Sequence, residues 1–243
     1  DHIGENTITM TVIDYGGNGT WYSEQYISGE PPNRLSEVIG QKILLQAIEK
    51  IQLMLSKTAR ATTVGEYSHS LYGKIQGSLD LIPHIKLDVA QNIMKIASTL
   101  TASLADYDDQ EFTLAYCHGD FHQGNILSNE VDYWILDWEY SGEKQIAYDY
   151  LILLLESRIE SGYSSRFLRL ITSDLDAYNA EIAGGWPNMN WQDSKNIYLT
   201  VFLLEELAFY IEENGNPLFY KKADVLESRC NEFMKIVAGL LHN

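Results

Sequence analysis

The chain has 243 residues, of which 45% are hydrophobic and only five are proline, a composition typical of an ordered globular protein of one large or two small domains. With 34 acidic and 17 basic residues its formal net charge is −17, which argues against a nucleic-acid partner because like charges repel. No apolar run reaches the length of a membrane span, so no membrane partner is expected. Two cysteines without metal-ligand spacing favour a reducing, cytoplasmic location.

The first residues predict a small β element. Segments 7–14 and 21–27 are rich in β-forming residues, and the glycine-rich stretch 16–19 between them is typical of a turn, so a hairpin is expected. Gly29, Pro31 and Pro32 follow and mark a connector.

The rest of the chain is predominantly helical by its apolar spacing. Helices are predicted over six segments: 36–56, 87–105, 147–161, 166–182, 193–213 and 221–241. The stretch 57–79 is predicted to be a loop. A compact polar segment, 116–137, lies between the helices and carries short strands at 126–127 and 133–136. A small β element therefore leads into a large helical body.

The compact polar segment contains two motifs whose side chains could take part in a reaction. Residues 118–125 read His-Gly-Asp-Phe-His-Gln-Gly-Asn, which places four residues between Asp120 and Asn125, and a hydrophobic strand then ends in Asp137. Phosphoryl transfer needs a carboxylate that accepts or orients the proton of the attacking hydroxyl, and oxygen ligands that hold Mg²⁺ on the phosphates. Asp120 suits the first role, and Asn125 and Asp137 suit the second.

These motifs resemble those of the aminoglycoside phosphotransferase and choline kinase superfamily, whose members are small-molecule kinases with a protein-kinase-like fold. The chain matches the catalytic-loop pattern at 118–125, the metal-binding Asp at Asp137 and a later aromatic-Asp pair at Tyr148-Asp149. The resemblance implies that Asp120 is the catalytic base.

The same resemblance implies roles for the neighbouring polar residues. Asn125 and Asp137 would bind magnesium, and Asp149 would brace the catalytic loop. His118 is expected to shape that loop by hydrogen bonding rather than to exchange protons with the substrate.

The nucleotide side is only partly represented. In the family, a linker strand binds the adenine through its backbone, and segment 21–27 looks like that linker. Glu24, Gln25 and Tyr26 are then the candidate contacts to ATP or GTP, although an ordinary edge hairpin is the alternative. The family also uses an upstream lysine to hold the phosphates, whereas no lysine precedes Lys42. We therefore expect that lysine, and most of the nucleotide lobe, to be missing from this sequence.

The expected fold is α+β and protein-kinase-like, and consists mainly of the helical C-terminal lobe. Residues 1–27 would be a remnant of the nucleotide-binding β lobe with its hinge. Residues 28–243 would be the helical catalytic and substrate-binding lobe.

The segment after Asp137 gives information about the class of acceptor molecule. Its sequence, Asp-Trp-Glu-Tyr-Ser-Gly, looks nearest to the choline and thiamine kinase branches, which phosphorylate cationic alcohols. Aromatic faces and carboxylates hold such cations, so Trp138, Glu139 and Tyr140 are candidate substrate contacts. The His-Gly-Asp pattern is nearer the aminoglycoside kinases, whose acceptors are also cationic.

The predicted helix over 193–213 offers further aromatic and acidic side chains. Tyr198, Phe202 and Phe209 fall at helical spacing and are predicted to lie in the core. The adjacent Glu205 and Glu206 are interpreted as a solvated face.

The sequence thus predicts a transferase, an ATP- and Mg²⁺-dependent kinase that acts on a hydroxyl of a small cationic molecule. A non-catalytic, pseudokinase-like binding module is the main alternative. A protein kinase is disfavoured because Asp137 lacks the Phe-Gly that follows it in those enzymes, and the path from Asp137 to Asp149 is too short for an activation loop. A metal-dependent hydrolase would need more His and Asp ligands.

Overall fold

The structure is a computed structural model that describes residues 12–15, 22–24, 26–82, 85–159, 161–172, 191–215 and 223–240. Its helices are α1 (Glu37–Thr58), α2 (Val64–Leu79), α3 (Leu87–Ser103), α4 (Tyr148–Leu155), α5 (Tyr163–Thr172), α6 (Trp191–Gly215) and α7 (Ala223–Leu240). Its strands are β1 (Val12–Tyr15), β2 (Tyr22–Glu24), β3 (Arg60–Thr63), β4 (Glu111–Cys117), β5 (Ile126–Ser128), β6 (Tyr133–Ile135) and β7 (Gly142–Gln145). Long helices with short strands confirm the predicted α+β class.

The strands form three small antiparallel sheets within the described ranges. β1 pairs with β2, which confirms the predicted hairpin, although its turn at 16–19 lies outside the described residues. β3, β4 and β7 form a three-stranded sheet in that order. β5 and β6 confirm the two short strands predicted at 126–127 and 133–136, and they pair as a second hairpin. The last two sheets frame the compact polar segment.

The segment 57–79 was predicted to be a loop, and this prediction was wrong because it forms β3 and α2. Thr63 accepts a hydrogen bond from the backbone nitrogen of Glu66 at 3.2 Å, so it caps the start of α2. The Thr-x-x-Glu spacing is typical of a capping box. The apolar periodicity is weak because the buried face of α2 includes Gly65 and Ser68.

Other boundaries differ from the predictions for local reasons. β4 and β7, which lay in segments without a strand prediction, pair with each other and build the sheet beside the catalytic loop. Helix α4 ends at Leu155 rather than near 161, because Glu156 takes a left-handed conformation with φ of 45°. The predicted helix over 166–182 is described only as far as Thr172.

Helix α6 runs through the centre of the helical body. Every residue from 197 to 211 is buried, and α2, α3 and α7 pack around it. Tyr198, Phe202 and Phe209 are buried, as predicted. The interpretation of Glu205 and Glu206 as a solvated face was wrong, since they are 3% and 0% exposed. A helix surrounded on all sides has no solvated face, and its acidic residues must find partners inside.

Within the described ranges, no helix combines the length and the apolar character that a membrane crossing requires.

Candidate active site

The catalytic loop begins where β4 ends and is held by the first turn of α4. Asp149 is fully buried and accepts hydrogen bonds from the backbone nitrogens of His118 at 2.7 Å and Gly119 at 2.8 Å. Burial raises the pKa of Asp149, while the hydrogen bonds from the backbone amides of Gly119 and His118 limit that rise. Gly119 has φ of 87°, and a Cβ there would lie 2.0 Å from the carbonyl oxygen of Tyr140. Only glycine therefore fits this position.

The imidazole of His118 connects the loop to the end of β6. Its Nε2 lies 2.7 Å from the carbonyl oxygen of Leu136, and its Nδ1 accepts the backbone N–H of Asp120 at 3.2 Å. These two contacts together require the neutral ring with its proton on Nε2. The ring also packs on Trp138, with centroids 4.5 Å apart. The ring thus connects the loop to β6 and Trp138, and the loop-shaping role of His118 stays a prediction.

Both carboxylate oxygens of Asp120 are engaged. Arg158 Nε donates to Oδ1 at 2.5 Å, Asn125 Nδ2 donates to Oδ2 at 3.1 Å, and His122 Nε2 lies 3.5 Å from Oδ2. Burial alone would raise the pKa of Asp120, but the hydrogen bonds from His122 and Arg158 and the positive charge of Arg158 outweigh it and hold the pKa below its ordinary value. The lowered pKa keeps the carboxylate ionised, the hydrogen bonds fix its direction, and at 8% exposure it is almost enclosed.

Arg158 is a site residue that the sequence did not indicate. It lies just after α4, and its guanidinium also donates to Glu206 Oε2 at 2.9 Å and to the carbonyl oxygen of Gly119 at 3.3 Å. The guanidinium covers the ring of Phe209 at 4.4 Å. Glu206 Oε1 accepts the hydroxyl of Tyr148 at 2.6 Å, which completes a buried network.

The β5–β6 hairpin brings Asn125 and Asp137 to the same end of the two strands. Ile126 pairs with Ile135, and one step farther the backbone nitrogen of Leu136 donates to the carbonyl oxygen of Asn125 at 2.8 Å. The amide nitrogen of Asn125 is directed at Asp120, both at Oδ2 and at the carbonyl oxygen at 3.0 Å. Its amide oxygen is thereby turned away from Asp120.

This donor set fits magnesium in character. Among the described residues, no group of three or more His, Cys, Asp or Glu could hold a metal ion by itself. Mg²⁺ commonly takes only one or two protein ligands and completes its shell with water and phosphate oxygens. The amide oxygen of Asn125 and the carboxylate of Asp137 would supply such a pair.

The connector after the first hairpin runs beside β5. Glu30 and Ser128 exchange two backbone hydrogen bonds, at 2.9 and 3.0 Å. Of the predicted adenine contacts, Glu24 is the last residue of β2, Gln25 lies outside the described residues, and Tyr26 is 87% exposed. Their nucleotide-binding role stays a prediction.

A pocket of about 440 Å³ opens between α2, the segment 139–144 and α6. Its lining includes three aromatic residues, four acidic ones and two lysines: Tyr67, Tyr140, Phe209, Glu139, Glu143, Glu205, Glu212, Lys74 and Lys144. The Tyr140 carbonyl that crowds Gly119 belongs to this wall, so the pocket borders the catalytic loop. Burial, followed by the charge of Asp137, raises the pKa of Glu139.

The three predicted substrate contacts have different positions around this pocket. Glu139 and Tyr140 line it, and the Tyr140 hydroxyl donates to Glu213. Trp138 is not among the lining residues. Its indole Nε1 donates to the carbonyl oxygen of Ile135 at 2.8 Å while the ring packs on His118.

Comparison with known proteins gives a family match and several likenesses to solved structures. The model of the phosphotransferase enzyme family matches residues 26–190. A choline/ethanolamine kinase family protein from Mesorhizobium loti is 19% identical with a TM-score of 0.52, over 97% of this chain and 78% of the other. Choline kinase from Cryptosporidium parvum Iowa II is 13% identical with a TM-score of 0.55, over 97% and 74%. These likenesses confirm the protein-kinase-like fold. No curated protein sequence matches the chain.

Proposed function

The chain belongs to the phosphotransferase enzyme family, and on that premise we propose that it transfers the terminal phosphate of ATP or GTP to a hydroxyl of a small cationic molecule. One observation carries the proposal. Asp120 is held through both carboxylate oxygens in a loop that lies beside Asn125 and borders a pocket lined by acidic and aromatic residues.

Asp120 is the proposed catalytic residue. Phosphoryl transfer has a loose transition state in most descriptions, so the protein contributes mainly positioning and charge stabilisation. An ionised carboxylate with a pKa below its ordinary value is a weak base, which suits orienting the acceptor hydroxyl and taking its proton late. Arg158 and Asn125 fix the direction of this carboxylate.

Asn125 and Asp137 are the proposed magnesium ligands. When bound, the ion would neutralise charge that develops on the transferred phosphate. Asn125 would serve both Asp120 and the magnesium ion. Its amide nitrogen orients Asp120, and its amide oxygen, which is turned away from Asp120, would bind the ion. Asp149 and His118 support the loop that carries these groups.

The nucleotide is proposed to bind on the other side of the catalytic loop from the acceptor. Residues 1–27 would contribute the remnant of the β lobe and the hinge, with Glu24, Gln25 and Tyr26 near the base. Residues 28–243 would form the catalytic and substrate-binding lobe. The pairing of Glu30 with Ser128 supports this division, because it holds the connector against the catalytic hairpin.

The pocket beside Tyr140 is the proposed acceptor site. Its aromatic rings and carboxylates match the recognition of a cation, which is stabilised by π-faces and negative charge. The net charge of −17 would also favour the approach of a cationic molecule.

The test is nucleoside diphosphate release from Mg-ATP in the presence of choline, ethanolamine, thiamine, aminoglycosides and simple sugars. We expect acceptor-dependent release that falls by about 10²- to 10⁴-fold in Asp120→Asn. Asp132→Asn is the matched control, since Asp132 lies in the exposed turn of the β5–β6 hairpin and should retain activity.

A non-catalytic binding module that keeps the acceptor pocket is the second candidate. Absence of both turnover and Mg-ATP binding by calorimetry would contradict the kinase proposal and favour this module. Turnover that is unaffected by Asp120→Asn would contradict the assignment of Asp120.

A further inference from the structure

Glu205 has one satisfied and one unsatisfied carboxylate oxygen. Oε1 accepts the hydroxyl of Tyr67 at 2.6 Å and the backbone nitrogen of Gln145 at 2.8 Å. Oε2 is buried and has no hydrogen-bond partner among the described residues. The residue is 3% exposed and lines the pocket beside Tyr140. A buried acceptor without a partner on a pocket wall calls for an explanation, and a donor on a bound ligand is one such explanation.

The ionised form of Glu205 leaves this mismatch unresolved, because its Oε2 has no donor among the described residues. A protonated carboxyl group would need an acceptor, and the side-chain Oε1 of Gln145 is a second buried acceptor without a partner among those residues. Burial raises the pKa of Glu205 to about 7, with Lys144, Tyr67 and Gln145 opposing the rise. A ligand that brings both an N–H group and a positive charge satisfies the oxygen and favours the ionised form.

The other charged groups of the pocket do not fill that position. Lys74 is paired with Glu212 at 3.0 Å, and the carboxylate of Glu143 is bound by Arg60 from outside the pocket lining. Lys144 lowers the pKa of Glu205 through its charge, but its Nζ lies over the ring of Tyr148 at 4.5 Å.

Building on the proposed function, we propose that Glu205 is the specificity-determining residue of the acceptor pocket and that the acceptor is an alcohol with a protonated amine. At least one N–H of that amine donates to Oε2, and the rings of Tyr67 and Phe209 lie around the same pocket. A quaternary ammonium has no N–H, so it leaves Oε2 unsatisfied when it displaces water from the pocket. A neutral alcohol can donate a hydrogen bond but does not compensate the buried charge.

The probes are four molecules of similar size: 2-aminoethanol, its N,N-dimethyl derivative, choline and ethylene glycol. Calorimetry with the full-length protein should show that the two amines with an N–H bind at least about tenfold more tightly than choline or ethylene glycol, the effect of one buried hydrogen bond to a charged group.

Glu205→Gln should remove this preference. The oxygen of the new amide would accept from Tyr67 and Gln145, so its NH₂ group would point at the ligand and oppose an N–H donor. Glu212→Gln is the matched control, because it makes the same charge change in the same pocket on a half-exposed, lysine-paired residue. It should retain the preference for the amines.

Three results would overturn the inference: choline that binds as tightly as 2-aminoethanol, a preference that survives in folded Glu205→Gln, or binding of none of the four probes. If Glu205→Gln does not fold, the comparison of the four ligands on the unaltered protein still tests whether the pocket prefers a protonated amine with an N–H group. Amine-selective binding without phosphate transfer from Mg-ATP would leave the inference intact and contradict the proposed function. Phosphate transfer that favours choline over 2-aminoethanol would contradict the inference and leave the proposed function intact.

Discussion

Arg158 ties the catalytic loop to the helical core through charge. It donates to Asp120 on the loop and to Glu206 on α6, and neither carboxylate is more than 8% exposed. Burial alone would lower the pKa of Arg158, but Glu206 and its other neighbours raise it well above the ordinary value. A guanidinium suits this place because it stays charged and spreads its donors over several acceptors.

Arg158→Met should therefore lower both stability and activity. Removal of one partner from a buried ion pair leaves the other charge uncompensated, which costs about 3–5 kcal/mol. Asp120 would also lose its Oδ1 partner and with it a fixed direction. Urea unfolding measures the first effect, and acceptor-dependent nucleotide turnover measures the second.

The double variant Arg158→Met/Glu206→Gln separates the two effects. Glutamine keeps an oxygen for the Tyr148 hydroxyl and removes the uncompensated charge, so most of the lost stability should return. Activity should stay low, because Asp120 remains unsupported. A double variant as unstable as Arg158→Met would show that Glu206 is not the charge that Arg158 compensates.

At the scale of single residues, the sequence could predict those site residues that lie close together along the chain. Asp120, Asn125 and Asp137 lie within 18 residues and one short hairpin, so their spacing was enough to group them. Arg158 and Glu206 reach the same site across 38 and more residues, by packing that no local pattern records.

Among the elements, α2 and β4 show why local signals can be too weak. The buried face of α2 includes Gly65 and Ser68, so its apolar period is diluted. The capping box at Thr63 and Glu66 was the available signal. β4 is central in its sheet, with partners on both sides, and its sequence does not alternate cleanly.

A pair of glycines in two helices tests how closely the elements pack. Gly40 of α1 faces the backbone of Pro32, and a Cβ would lie 2.2 Å from that carbonyl oxygen. Gly73 of α2 is exposed, with nothing within 4 Å of a Cβ. Gly40→Ala should destabilise the protein by about 1–3 kcal/mol through overpacking. Gly73→Ala should stabilise it by up to about 1 kcal/mol through helix propensity.

The two alanine variants are matched controls for each other, because both add one methyl group to a helix. Urea unfolding at one pH gives the comparison. Equal changes of the same sign would mean that the connector at Pro32 does not press on α1 as described.

For the whole molecule, the order of β element and helices was sufficient to predict the α+β class, and the family resemblance of the motifs implied the kinase-like fold. The charge of the chain was less informative, because the sequence alone does not tell which carboxylates are solvated. Glu205 and Glu206 lie side by side in a helix that is buried along 197–211. Their burial follows from how α2, α3 and α7 surround α6, which is a property of the assembled fold.

That burial should make the stability of the whole protein depend on pH. The pKa of Glu205 is raised by burial from 4.5 to about 7. Between those values the folded protein keeps a proton that the unfolded chain has lost, so the free energy of unfolding falls as the pH rises. The contribution of Glu205 is complete below about pH 4.5 and is lost as the pH passes about 7. Glu205→Gln removes this group from the titration.

Urea unfolding of the unaltered protein and of Glu205→Gln across this range isolates the effect. The free energy of unfolding of the unaltered protein, minus that of the variant, should decrease from about pH 4.5 to about pH 7 and then level off. Asp120 acts in the opposite direction and at lower pH, since its pKa is held below its ordinary value, and it is common to both proteins. Parallel pH profiles would mean that Glu205 is ionised in the folded protein throughout. In that case a positive charge must already neutralise it without a ligand, and Lys144, which lines the same pocket, would be the group to replace next.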